Sequence, residues 1–168
     1  MNDFQYLIIE PLKSIHNRAG FHCGVESLDR YLSKQAGQDI KRSISRVFVA
    51  TQREEPEKVI GFYSPNALSI ELNQLPEKLV RKLPKHPIPA ALIGKLAVCN
   101  AAQGKGIGKM LLADAIKRTL SVGEQIAIYA IVVDAINEKA KSFYERYGFT
   151  RLSDNSSRLF LPMKSITQ

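Results

Sequence analysis

The residues best suited to chemistry lie in one short stretch, Gln103-Gly104-Lys105-Gly106-Ile107-Gly108-Lys109. An apolar run, 91–99, precedes it and reads as a buried strand. Behind it, Ile107, Leu111 and Ala115 recur at a spacing of four, with Leu112 and Ile116 alongside, which predicts a helix. Strand, glycine loop and helix together can bind an anion. The first amides of a helix have no intrahelical partner, and the helix dipole adds partial positive charge there. Glycine keeps Cβ atoms out of the way of an approaching phosphate, and Lys105 and Lys109 add full charges.

Two common phosphate motifs do not fit. A P-loop needs Ser or Thr after its Gly-Lys, and Met110 follows Lys109. A dinucleotide fingerprint spaces its glycines G-x-G-x-x-G, whereas Gly104, Gly106 and Gly108 run G-x-G-x-G. The spacing present is Gln-x-x-Gly-x-Gly, through Gln103, Gly106 and Gly108.

The elements that must position this loop can be read in order. Residues 4–10 are expected to form a strand, and residues 25–38 a helix with Val25, Leu28 and Leu32 inward and Gly37 interrupting it. Two strands, 46–52 and 59–68, predict a hairpin around a charged turn with Pro56. Residues 72–83 suggest a short helix bounded by Pro76 and Pro84. Residues 126–133 predict an apolar strand, and residues 137–147 a helix closed by Gly148. Two strands, 149–152 and 158–163, around a turn at 154–157 end the chain. In the 137–147 helix, Ala140, Phe143 and Tyr147 share one face, expected to be core. Asn137, Lys141 and Tyr144 share another, expected to look toward the glycine loop. Strands early, then strand–helix–strand–helix–strand, imply an α/β (α+β) fold. Its mostly antiparallel sheet would hold a central parallel pair, with ligand at the carboxyl ends of that pair.

Composition sets outer limits. A chain of 168 residues is the size of one domain. No apolar run approaches a membrane span, and the opening, with Asp3 and Glu10, does not read as a signal peptide. Cys23 and Cys99 have neither metal-ligand spacing nor a disulfide framework, so no metal and a reducing cytoplasm are expected. Lys and Arg total 24 against 16 acidic residues, a net charge of +8. That excess favours a polyanionic partner, with nucleic acid foremost. Two basic groups stand out: Lys41, Arg42 and Arg46, and Lys78, Arg81, Lys82 with Lys85 and His86. Each reads equally as a phosphate contact or a solvated face. No general base is evident, although His86 is the best placed of the three histidines.

Two motifs, in order and at compatible separation, carry a resemblance. The loop through Gln103, Gly106 and Gly108 resembles the pyrophosphate-binding loop of the GNAT superfamily of acyl-CoA-dependent N-acyltransferases. Residues 133–149, Val-Asp-Ala-Ile-Asn-Glu-Lys-Ala-Lys-Ser-Phe-Tyr-Glu-Arg-Tyr-Gly-Phe, resemble that family's V-x-x-x-N-x-x-A-x-x-F-Y-x-x-x-G-F segment. The resemblance implies a GNAT fold over residues 1–168 as a single domain: a six- to seven-stranded sheet, its parallel pair splayed at the cofactor site, flanked by about four helices. It implies acetyl-CoA as co-substrate. The main chain of Leu96, Ala97 and Val98 would pair with pantetheine, and the amides of Gln103, Gly104, Lys105, Gly106, Ile107, Gly108 and Lys109 would hold the pyrophosphate. Asn137 would hydrogen-bond the pantetheine. Tyr144 would be the general acid at the sulfur. A phenol suits that task, because amine attack on a thioester expels a thiolate of pKa near 8.5. The Val98 N–H would polarise the thioester oxygen.

Further segments extend the resemblance to the GNAT toxins of bacterial toxin–antitoxin modules: Phe21-His22-Cys23-Gly24 with 28–32, Arg46-Val47-Phe48-Val49, Gly61-Phe62-Tyr63-Ser64, and 159–163. Those enzymes acetylate the α-amine of aminoacyl-tRNA and block translation. They dimerise and pair with a ribbon-helix-helix antitoxin. An ester-linked α-amine titrates well below a lysine and needs little help to lose its proton, which agrees with the lack of an obvious base. Cys99-Asn100 departs from the acidic residue those toxins tend to carry after Leu-Ala-Val, and Ala101-Ala102 is loosely matched. An acetyltransferase for a small amine or a protein N-terminus would need an acidic acceptor cleft, against the charge balance. A fold that only binds RNA or protein has no use for Tyr144, Asn137 and an intact loop.

Overall fold

The structure, a computed structural model, describes residues 6–153 and 156–166. Among the described residues, seven strands form one sheet in the order β1-β2-β3-β4-β5-β7-β6. They are β1 (Leu7–Pro11), β2 (Phe48–Gln52), β3 (Gly61–Ile70), β4 (Ile88–Val98), β5 (Ala130–Asp134), β6 (Thr150–Arg151) and β7 (Arg158–Pro162). β1 with β2, β2 with β3, and β7 with both β5 and β6 run antiparallel, while β4 and β5 run parallel. The parallel register covers Ala90↔Ala130 to Ile93↔Val133, and β4 then continues to Val98. The expected mixed sheet with one parallel pair is present.

The chain divides into two compact units, Met1–Asn66 with Lys95–Lys117, and Ala67–Gly94 with Arg118–Gln168. In the first, Phe21, Leu28, Tyr31, Leu32, Val49 and Phe62 are the centre of a hydrophobic cluster. Phe62 packs edge-on to Phe21 at 5.4 Å and stacks on Tyr31 at 6.2 Å. In the second, Ile70, Ile88, Val132 and Phe160 form another cluster.

The helices differ from expectation in informative ways. Residues 26–41 form α1 (Glu26–Arg30), a π-helical turn (Tyr31–Gln35) and α2 (Ala36–Lys41). The interruption is therefore the π turn, not Gly37, which lies inside α2. Leu28, Tyr31, Leu32 and Ala36 are buried together, at the i, i+3, i+4, i+8 spacing of a single helical face. The expected 72–83 helix is a 3₁₀ turn (Leu72–Gln74) and a four-residue α3 (Glu77–Val80). Pro76 between them lacks an N–H and forces extended geometry on Leu75 (φ −96°, ψ 153°). The expected strand at 126–133 starts only at Ala130, and Ile126 is 70 % exposed. The first strand spans Leu7–Pro11, and Phe4 and Gln5 of the expected range lie outside the described residues, as do Asp154 and Asn155 of the last turn. Two long helices complete the frame, α4 (Ile107–Gly123) and α5 (Glu138–Arg146), and α6 (Met163–Ile166) follows β7. No helix among the described residues is long and apolar enough to cross a membrane.

Candidate active site

In the first unit the site is made of backbone. β4 ends at Val98, and a 3₁₀ turn, Asn100–Ala102, leads to Gln103. Leu96 and Val98 are half-buried and Ala97 is buried, so the strand end is anchored through Ala97. Gly104 (φ +78°) and Gly106 (φ +83°) hold left-handed backbone that only glycine adopts without strain. Among the described residues nothing lies within 4 Å of where a Cβ would stand at either position, so the loop is an open cradle. The helical ladder opens with Met110 N–H donating to Gly106 O at 3.2 Å, so the amides before Met110 precede the ladder and line the helix N-terminus. Ile107 is buried, which roots the helix, while Gly104, Lys105, Gly106 and Lys109 are exposed and Gly108 is half-buried.

Gln103 does something the sequence did not reveal. Its Nε2 donates to Cys23 O at 2.8 Å and to Val98 O at 3.0 Å. The side chain thus ties the loop both to the strand end and to the Phe21–Gly24 segment. Asn100 N–H adds a bond to His22 O at 2.9 Å, and Cys99 N–H one to Ile60 O at 2.7 Å. The spacing Gln-x-x-Gly signalled a loop but not which carbonyls its first residue would clamp.

In the second unit the site is a side chain on a capped helix. Asn137 is the N-cap of α5, and its Oδ1 accepts from Ala140 N–H at 2.8 Å. Such a cap contributes about 1 kcal/mol. The expectation of a pantetheine contact therefore falls to the Nδ2 amide, since the oxygen is engaged in the cap. At the other end, Gly148 (φ +95°) donates to Glu145 O at 3.1 Å and Phe149 to Tyr144 O at 3.2 Å, the paired bonds of a Schellman cap.

This cap corrects the expected faces of α5. Tyr144 is the buried residue of the helix, at 4 % exposure, whereas Ala140, Phe143 and Tyr147 are half-buried. The reversal at Gly148 folds Phe149 back, so that its ring meets Tyr144 edge-on at 5.7 Å, with Phe143 on the other side at 5.2 Å. Burial raises the Tyr144 phenol well above its ordinary value, and the nearby Asp134 carboxylate adds to the effect. Arg158 fixes that carboxylate through bonds of 2.8 and 3.2 Å. Tyr144 is therefore a protonated donor throughout the physiological pH range. Lys141 on the same face pairs with Glu138 at 3.0 Å.

A glycine loop at a helix N-terminus after a parallel strand, and a buried phenol on an Asn-capped helix, narrow the possibilities. The family described as acetyltransferase (GNAT) domain matches residues 43–151. The chain belongs to the GNAT acetyltransferase family. Among curated proteins, this acetyltransferase is 36 % identical to a probable toxin TacT of Sinorhizobium fredii, over 95 % of this chain and 92 % of that one. It is 35 % identical to a tRNA-acetylating toxin of Mycobacterium tuberculosis, over 86 % and 84 % of the two chains. Among solved structures, a Tyr-to-Phe mutant of KacT aligns with a TM-score of 0.92 at 32 % identity, covering 98 % of this chain and 99 % of that one. AtaT complexed with acetyl-methionyl-tRNAfMet aligns at 0.88 and 31 %, over 96 % and 98 %. AtaTR bound with AcCoA aligns at 0.82 and 29 %, over 96 % of each.

Proposed function

We propose that this acetyltransferase moves the acetyl group of acetyl-CoA onto the α-amine of aminoacyl-tRNA, and so blocks translation as the toxin of a toxin–antitoxin pair. The observation that carries the reading is the open cradle at Gly104 and Gly106, at the N-terminus of α4, in a chain that matches a tRNA-acetylating toxin over 86 % of its length. The amides of residues 103–109 hold the pyrophosphate, with Lys105 and Lys109 adding charge. The main chain of Leu96, Ala97 and Val98 meets the pantetheine arm, and the Asn137 Nδ2 amide donates to it. The Val98 N–H stabilises the oxyanion that forms when the amine attacks the thioester.

Tyr144 then donates to the sulfur as the C–S bond breaks. A phenol with a raised pKa does not ionise in advance of the reaction, and its hydrogen bond strengthens as charge collects on sulfur. Such a bond to a charged group contributes about 1.5–3 kcal/mol. Because that strengthening occurs only on the way to the transition state, it raises turnover rather than acetyl-CoA affinity.

The basic surfaces fit a polyanionic substrate: Lys41, Arg42 and Arg46 are exposed, as are Lys78, Arg81, Lys82, Lys85 and His86. His86 Nδ1 lies 3.1 Å from the Pro87 carbonyl on an exposed turn, a placement that favours RNA contact over base catalysis. The toxin reading brings a ribbon-helix-helix antitoxin as partner, a homodimer as the working form, the cytoplasm as the compartment, and the whole chain, residues 1–168, as one catalytic domain. The +8 charge disfavours the alternative acceptors, a small amine or a protein N-terminus.

Incubation with labelled acetyl-CoA and a pool of charged tRNAs tests the reading. Label should appear on the aminoacyl ester, leave the tRNA on mild base treatment together with the amino acid, and be absent from uncharged tRNA. Label on polyamines or peptide N-termini but not on charged tRNA would overturn it.

A further inference from the structure

The three histidines have separate fates. His16 is buried with both ring nitrogens engaged: Lys13 N–H donates to Nδ1 at 2.9 Å, and Nε2 meets Glu10 Oε1 at 2.9 Å. His86 stands on the exposed proline-rich turn. His22 lines a cavity of about 230 Å³ whose lining also includes Cys99, Asn100 and Ala101, the residues immediately after β4.

Backbone bonds secure His22 beside the strand end. Asn100 N–H donates to the His22 carbonyl, and Gln103 Nε2 joins the next carbonyl, Cys23 O, to Val98 O. The residue is therefore held by Asn100, two residues beyond Val98, and through Cys23 by Gln103, near the strand end where the thioester carbonyl is proposed to sit. Its side chain is free to work in the cavity, being 72 % exposed, with Nδ1 at 3.8 Å from Asp29 Oδ2. Asp29 is itself fixed, because Cys23 N–H donates to its Oδ1 at 2.9 Å. At that distance the carboxylate acts as a charge rather than a hydrogen-bond acceptor, and its negative charge on the Nδ1 side favours hydrogen there, which leaves the Nε2 lone pair as the acceptor. Lys58 lines the same cavity and brings a cation suited to the terminal phosphate of an RNA acceptor.

We propose that the His22 cavity receives the acceptor amine and that His22, oriented by Asp29, is the general base of the reaction. This rests on the acetyl-transfer reading above. The amine nitrogen forms a bond to the thioester carbon while the carbonyl electron pair moves to oxygen. The proton made acidic on that nitrogen passes to His22 Nε2. The carbonyl re-forms, the C–S bond breaks, and the thiolate takes a proton from Tyr144. The proton held by His22 returns to solvent, and solvent restores the phenol, so one proton leaves nitrogen and one arrives at sulfur.

His22→Ala and His22→Gln test the proposal in the full-length enzyme, with acetyl-CoA affinity measured by calorimetry and steady-state rates measured on charged tRNA. Both variants should lower kcat by roughly 10²-fold, leave acetyl-CoA affinity unchanged and change KM for charged tRNA little. Added imidazole should restore part of the His22→Ala rate. Full turnover in His22→Ala, a loss confined to KM, or recovery of the rate by His22→Gln would each overturn the base assignment. The two readings fail separately. A wild-type enzyme that acetylates some other amine, with turnover lost in His22→Ala, would remove the tRNA acceptor and leave His22 in place. Acetylation of charged tRNA at full rate by His22→Ala would do the reverse.

Discussion

The glycine loop and the tyrosine helix solve different problems with different materials. The loop presents main-chain amides, and its glycines matter for what they lack: left-handed backbone at Gly104 and Gly106, and open space where side chains would stand. The helix presents one hydroxyl, and almost everything around it serves to hold that group. Asn137 caps one end, Gly148 closes the other, Phe149 folds back onto the ring, and Arg158 anchors the Asp134 carboxylate. A diphosphate offers many acceptor oxygens, so several amides can share it with tolerance in each. A leaving thiolate offers one atom, and a single donor must meet it.

This contrast orders four expected outcomes. Tyr144→Phe should have the largest effect, lowering kcat by about 10²-fold or more, since in the proposed mechanism the hydroxyl acts only as charge develops. Acetyl-CoA affinity by calorimetry and the melting temperature should barely move, as the ring and its packing remain. Turnover near the wild-type rate would remove Tyr144 from the mechanism. Gly106→Val should act the other way round. A β-branched residue at φ +83° costs roughly 1–3 kcal/mol of strain and crowds the proposed phosphate cradle. Acetyl-CoA binding should weaken roughly tenfold or more, and wild-type affinity would show that the pyrophosphate lies elsewhere.

Gln103→Ala removes the donor shared by Cys23 O and Val98 O, and should cost about 1–2 kcal/mol in chemical denaturation. A several-fold rise in KM for both substrates should accompany it, because the clamp joins the loop to the Phe21–Gly24 segment; unchanged stability would make the clamp incidental. Gly148→Ala should be the mildest. Left-handed φ there costs a non-glycine residue about 1 kcal/mol, seen as a lower melting temperature with acetyl-CoA affinity intact. A change in affinity without a change in melting temperature would link the Schellman cap to binding rather than to the helix.

Much of this frame was legible before any coordinates. The strand–loop–helix order came from apolar periodicity and glycine spacing, both local properties. The parallel pair came from the alternation of strands with helices, since a parallel neighbour needs a crossover. The misses are equally physical. Helical spacing alone points to Ala140, Phe143 and Tyr147 as the core face of α5, because it cannot say which face the chain beyond Gly148 will cover. Residues 72–83 read as one helix because their apolar periodicity outweighed Pro76, whose backbone restriction split them. The π turn at Tyr31–Gln35 has no signature in residue type, because the buried Leu28, Tyr31, Leu32 and Ala36 keep the spacing of an ordinary helical face.

By itself the sequence determined which backbone could be left-handed, where helices could begin and end, and that a phenol and an asparagine would stand seven residues apart on one helix, Asn137 to Tyr144. Those are properties of single residues and their near neighbours. Tertiary structure alone decided that Tyr144 would be buried and protonated, that Gln103 would join Cys23 to Val98, and that His22 rather than His86 would line a cavity beside the strand end. Each of those depends on residues distant in the chain arriving at one place, and desolvation and hydrogen bonding act on a group only once they have arrived.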